Sequence, residues 1–145
     1  SVDLLVRGIC CLRPGVPGVS DRIRVRQVVD GYLEHSRVFV FGEGKRARTY
    51  ISSADWMPRN FHSRVEVMAP IDDPEGRQRM LEILEAGLRD TVKGRVLRAE
   101  VRDRSPVYER PAEGGEPFRS QEALERAPAR EGAGAELRPV PGGAG

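Results

Sequence analysis

The amino-acid sequence predicts an α/β domain, a mixed β-sheet flanked by helices, and three observations carry that prediction. First, Arg37-Val38-Phe39-Val40-Phe41 and Arg48-Thr49-Tyr50-Ile51-Ser52 are rich in β-branched and aromatic residues and bracket the glycine-bearing Gly42-Glu43-Gly44-Lys45, the pattern of a hairpin. Second, Asp72-Asp73-Pro74-Glu75 combines a cap, a proline near the first helical position and early negative charge. Met80, Leu81, Leu84 and Leu88 then recur at helical spacing to about Asp90. Third, apolar runs alternate with amphipathic stretches as far as Arg102, the order expected when sheet and helices share one core.

The remaining elements follow in chain order. Val2 to Ile9 is apolar apart from Asp3 and Arg7 and reads as a buried strand, closed by Gly8 and the Pro14/Gly15/Pro17/Gly18 cluster. Because the chain opens almost inside that strand, a fragment or excised domain is expected. Ser20-Asp21 predicts an N-cap for a helix over Arg22 to Glu34, with Ile23, Val25, Val28, Val29, Tyr32 and Leu33 on a wide apolar face. After the hairpin come a strand at Ser63 to Ala69, the helix from Asp72, a strand over Val92 to Val101, and Val107-Tyr108 pairing back with it. The domain is expected to occupy residues 1–102, with residues 103–127 as its peripheral strand and a short docked helix around Phe118, Ala123 and Leu124. Residues 128–145, rich in Gly and Pro, bury too little surface to order and are expected to form a disordered tail.

At 145 residues, 39% hydrophobic and 32% charged, the chain is expected to form one soluble domain with a real core. Its longest apolar runs, such as Val38 to Phe41, fall far short of the roughly 20 residues needed to cross a bilayer, and no basic-then-apolar leader is seen. Cys10 and Cys11 are neighbours with no other cysteine to pair with, so no disulfide framework is expected. They read as small hydrophobes alternating across a strand, in a reducing, cytoplasmic setting. Only Lys45 and Lys93 among 24 basic residues are lysine. Codon bias in a GC-rich genome explains most of that skew, and guanidinium forks also suit phosphate oxygens. With 22 acidic residues the net charge is only +2, so there is no global basic field. Nucleic acid is not an expected partner, since aromatics make up 6% and sit mostly in strands. Any anion site must be local.

Two residues stand out chemically. His35 sits at a junction before a core strand, in Tyr32-Leu33-Glu34-His35-Ser36-Arg37. It is either a helix C-terminal residue favoured by the dipole or part of a crevice with Ser52-Ser53-Ala54-Asp55 from the adjacent strand end. Arg7 lies in an otherwise apolar strand and needs an anion: a bound ligand, or an internal partner such as Asp3 or Glu66. His62 reads as a surface residue. No zinc-type ligand spacing, GxxxxGK[ST] loop or GxGxxG is present, no metal ligands are assigned, and the absence of GxSxG argues against a Ser-His-Asp hydrolase.

Asp3-Leu4-Leu5-Val6-Arg7-Gly8-Ile9-Cys10, Tyr32 to Val38, and Tyr50-Ile51-Ser52-Ser53-Ala54-Asp55-Trp56-Met57-Pro58-Arg59-Asn60 followed by Arg64-Val65-Glu66-Val67 closely resemble the C-terminal region of bacterial polyphosphate kinase. The resemblance runs from Ser1 to about Arg98, and Phe118 to Leu124 is similar to the family's closing helix. It implies the second of two phospholipase D-like halves. The first half supplies the histidine that ATP phosphorylates and that passes the phosphoryl group to polyphosphate. What this half would contribute is Arg7 and His35 at the nucleotide and polyphosphate phosphates, His35 also as the catalytic candidate. Ser53, Asp55, Arg59, Asn60, Arg64 and Glu66 form a second tier; structural ion pairing is an equal reading for Arg64.

Against the phospholipase D pattern, His35-Ser36-Arg37 has Arg where Lys stands, and Asp55 takes the place of Asn, which agrees with a kinase rather than a lipase. The resemblance further implies ATP as substrate, ADP and inorganic polyphosphate as partners, magnesium with ligands outside this chain, upstream domains of the same enzyme, and a homo-oligomer. A polyanion-binding module without turnover is the alternative.

Overall fold

The computed structural model describes residues 1–111 and 116–127, and Lys45 by its backbone alone. It is an α/β fold with two sheets. Four strands, β1 (Val2–Val6), β2 (Ile23–Val28), β6 (Gly94–Arg102) and β7 (Ser105–Glu109), form a sheet in the order β1-β2-β6-β7. The β1–β2 pair is parallel, Val6 opposite Gln27, and the other pairs are antiparallel. The predicted hairpin is β3 (Val38–Phe41) and β4 (Arg48–Ser52), and β5 (Met68–Pro70) completes a separate three-stranded antiparallel sheet. Three helices, α1 (Pro58–His62), α2 (Pro74–Arg89) and α3 (Ser120–Arg126), accompany them.

The helix expected over Arg22 to Glu34 is a strand and a loop. Ile23-Arg24-Val25-Arg26 alternates apolar and polar side chains, and its β-branched residues fit a pleated surface flanked by a neighbour on each side. The helical spacing of Val25, Val29 and Leu33 was coincidental: Val25 and Val28 are core, whereas Val29, Tyr32 and Leu33 are exposed. The first strand stops at Val6, so Arg7 lies beyond it and is exposed, and the two cysteines are free, Cys10 half-buried and Cys11 exposed. The strand expected from Ser63 shrinks to Met68–Pro70, and Pro58, a favourable first helical residue, starts α1 before it. The expected tail, residues 128–145, lies outside the described residues.

The core packs α2 against β1 and β6. Val25 and Leu97 from adjoining strands and Ala86 from the helix are buried, and removing each large side chain from water contributes about 1.5–3 kcal/mol. Gly87 leaves room for Leu5, whose side chain occupies the space a Cβ would take.

Asp73 opens α2 by accepting from the Gly76 N–H at 2.6 Å. Asp90 follows the helix, fully buried, and its carboxylate joins three elements. One oxygen accepts from the Lys93 and Gly94 N–H groups at 2.7 and 3.0 Å. The other accepts from the Ser120 N–H and hydroxyl at 2.8 and 2.7 Å. Burial pushes this carboxyl upward, but the bonds from Ser120, Lys93 and Gly94 outweigh it and hold its pKa below the ordinary value.

Gly94 lies against the Asp90 main-chain carbonyl, so a Cβ there would collide with rigid backbone. Gly94→Ala is therefore expected to destabilise the fold by about 1–3 kcal/mol, measured by urea unfolding. Gly8→Ala, at a position open to solvent, serves as the neutral comparison.

Candidate functional site

Because β1 and β2 run parallel, their carboxyl ends lie side by side. Arg7 leaves the end of β1, and the segment that carries His35 leaves the end of β2, so the sheet starts both from one edge. Arg7 makes no hydrogen bond or ion pair among the described residues. Of the two internal partners considered for it, Asp3 is held by Arg24 at 2.6 Å, and Glu66 is engaged by Ser53 and Asn60. His35 is exposed, in a loop and not at a helix end, and its carbonyl accepts from the Arg37 guanidinium at 3.3 Å.

The loop leading to His35 is clasped by α3. Gln121, 7% exposed, pairs with Tyr32 as a backbone strand would: its Oε1 accepts from the Tyr32 N–H at 2.8 Å and its Nε2 donates to the Tyr32 carbonyl at 3.0 Å. The same Nε2 lies 2.7 Å from the Glu34 carboxylate. Arg119 forks onto Asp30 with bonds of 2.7 and 2.6 Å and also meets Glu122. The Arg119 hydrogen bond overcomes burial and brings the Asp30 pKa down to about 2, while Arg119 is raised. None of these contacts was legible in the sequence, since the partners lie far apart along the chain and carry no motif.

The second-tier residues gather around two carboxylates. Asp55 receives Arg37 at 2.7 Å and Arg59 at 3.6 Å, and the Arg37 hydrogen bond is the main cause of its lowered pKa. Glu66 receives the Ser53 hydroxyl and the Asn60 amide, the latter at 2.6 Å, and these bonds lower its pKa, with a smaller contribution from the charge of Arg64. The Ser53 hydroxyl also accepts from the Val67 N–H at 3.0 Å, and Ser53 N–H donates to the Val67 carbonyl at 3.0 Å, so this cluster ties the end of β4 to the segment before β5.

Asn60 is buried with its Oδ1 unpartnered, an acceptor left open. Arg64 is exposed. Asp55 and Glu66 are thus structural ties with their charges spoken for, whereas Arg7 and His35 are cationic-capable side chains with no internal anion. Among the described residues no three of His, Cys, Asp or Glu group closely enough to hold a metal, and the Asp55 and Glu66 carboxylates are already engaged. The described residues offer no cluster that would hold magnesium without ligands from elsewhere.

The family model for the polyphosphate kinase C-terminal domain 2 matches residues 1–121. The polyphosphate kinase of Escherichia coli (strain K12) is 48% identical over 103 residues, covering 71% of this chain and 15% of that protein. That of Halalkalibacterium halodurans is 50% identical over 94 residues, covering 65% and 13%. Among solved structures, polyphosphate kinase from Porphyromonas gingivalis matches with a TM-score of 0.74 and 43% identity, covering 86% of this chain and 18% of that one. The chain belongs to the polyphosphate kinase family, as its C-terminal domain. It spans 13% to 15% of the length of these two curated relatives.

The α3 clasp has a pH signature. A carboxyl whose folded pKa, about 2, lies below its ordinary 3.8 contributes stability that is present above about pH 4 and is lost as pH falls toward 2. The melting temperature is expected to fall below about pH 4, and Asp30→Asn should lower stability at neutral pH and make that acid fall shallower. Thermal unfolding followed by circular dichroism across the acid range checks both.

Proposed function

We propose that this chain is the second phospholipase D-like half of a polyphosphate kinase's catalytic region. In this reading it binds the phosphates of ATP and polyphosphate through Arg7 and His35, while a domain outside the chain supplies the phosphohistidine. One observation carries it. At the carboxyl ends of the parallel strands, Arg7 has no internal anion and the His35 ring is open to solvent, while Asp3, Asp55 and Glu66 are each held by other side chains. Cations without carboxylates at such an edge suit phosphoryl oxygens.

The terminal phosphoryl of ATP passes to the histidine of the other half with release of ADP, and then to the terminal oxygen of a growing polyphosphate chain. Catalysis of such transfers is mostly positioning and neutralising charge. Arg7 would clamp oxygens bidentately. His35 as imidazolium would stabilise the transferring group or protonate a leaving oxygen, and as neutral imidazole would orient the partner nucleophile. Magnesium, where bound, neutralises phosphate charge; its ligands belong outside this chain.

The other half also has surface to cover. Trp56 is 73% exposed and Val65 99%, and Phe61 and Val67 are exposed too, apolar surface that suits burial against further domains of a larger enzyme. On this reading the chain alone is inactive, the complete enzyme is cytoplasmic, and it works as a homo-oligomer.

In a polyphosphate kinase that contains this chain, Arg7→Ala and His35→Ala are each expected to lower polyphosphate synthesis by about 100-fold or more while leaving the circular dichroism spectrum unchanged. Retained synthesis would overturn the roles. The isolated chain, assayed with ATP and magnesium, should gain activity only when mixed with the upstream domains; activity alone would mean that the nucleophile is here, with His35 the first residue to test.

A further inference from the structure

At the other end of the β3–β4 hairpin the surface opens into a cleft of about 710 Å³, where the turn at Gly44–Arg46, the start of β4, the end of β5 and the first turn of α2 meet. That volume lies within the range of roughly 300–1,000 Å³ typical of small-ligand sites. Arg46, Arg48 and Arg77 line it from three different elements, and Asp72 contributes its only carboxylate. Among the described residues none of the three arginines forms an ion pair; the Arg77 guanidinium donates only to the Asp72 main-chain carbonyl, at 3.4 Å. By contrast, Arg24, Arg37, Arg98 and Arg119 each hold a carboxylate at 2.6–2.7 Å.

Guanidinium groups gathered about one hollow without matching carboxylates repel one another, and a ligand carrying several negative charges relieves that repulsion. The backbone of the cleft wall is firmly placed, since Thr49 beside Arg48 is 2% exposed and β4 pairs with a strand on each side.

The cleft lies at the opposite end of β4 from the strand that follows His35. Ser52 donates to the Arg37 carbonyl at 2.9 Å, which puts the last residue of β4 beside the strand that follows His35. Arg48 opens the same strand four residues earlier, about 13 Å away at 3.3 Å per residue.

We infer that this cleft is a second oxyanion site, one that takes condensed inorganic phosphate through Arg46, Arg48 and Arg77 independently of Arg7 and His35. The choice of condensed phosphate among polyvalent anions rests on the proposed function. The site itself rests on the cleft and on its three arginines, which lack ion-pair partners among the described residues. It would hold part of a phosphate chain away from the point of transfer and so favour long chains over single phosphates.

The test is a titration of the isotopically labelled 145-residue chain with sodium tripolyphosphate at physiological salt, read by backbone amide NMR shifts, with ATP and sulfate as parallel titrants. Saturable shifts at residues 46–50 and 71–77 are expected. Arg48→Ala/Arg77→Ala should weaken binding there about tenfold or more and spare shifts at residues 7 and 31–37; Arg7→Ala/His35→Ala should do the reverse. Shifts confined to residues 7 and 31–37 would overturn the cleft and leave the proposed function standing. Shifts confined to the cleft would support it and count against the roles of Arg7 and His35. Equal shifts with sulfate would reduce the cleft to general charge attraction and overturn the inference, as would a response to ATP without one to tripolyphosphate. No shift with any titrant would overturn both readings. Circular dichroism of each double variant separates lost binding from lost folding.

Discussion

The Asp90 carboxylate is the constraint on which the rest of the architecture depends. A charge taken out of water is tolerated only when donors replace the lost hydration, and four do so here: two N–H groups at the start of β6 and two donors of Ser120. The bonds to Ser120 do what a side-chain cap would do for α3, whose N-cap residue, Arg119, makes no such bond. One buried anion therefore sets the exit of α2, the entry of β6 and the place of α3. Thr91 reinforces the junction by accepting from the Phe118 N–H at 2.9 Å, and Arg89 lies over the Phe118 ring at 4.9 Å from its centre.

The consequence reaches the functional edge. Once α3 is fixed by Asp90, its Arg119 and Gln121 close on Asp30, Tyr32 and Glu34, and the loop ahead of His35 is held although it is neither helix nor strand. An exposed loop would otherwise be free to sample many conformations, and ordering it on binding would subtract from affinity. The clasp places that ordering in the fold itself. Meanwhile the carboxylates near the hairpin end are held by Arg37, Arg59, Ser53 and Asn60, which leaves Arg7 and His35 without internal competition for an incoming anion.

Much of this was legible from residues alone. The hairpin, α2 with its Asp73 cap, β6, β7 and α3 all carry local signals: β-branched runs about a glycine turn, proline after a cap, apolar recurrence at helical spacing. The second element was misread because Ile23 to Leu33 satisfies helical spacing while only Ile23 to Arg26 alternates, and a neighbour on each edge of the segment selects the strand. Arg7 and His35 were singled out by residue type and by the run around Ser52 to Asn60, whereas Gln121, Arg119 and Asp30 carry no signal a single sequence exposes.

By itself, then, the sequence determined the α/β class, most of the element boundaries and membership of the polyphosphate kinase family, because these rest on short-range preferences and on long, unusual residue runs. Only the tertiary structure decided that β2 is a central strand and that Arg7 stands clear of Asp3 and Glu66. It likewise decided that α3 grips the His35 loop and that three arginines converge on one cleft. Each of these is a meeting of side chains distant in sequence, settled by burial and by hydrogen-bond geometry in three dimensions, and local pattern does not encode it.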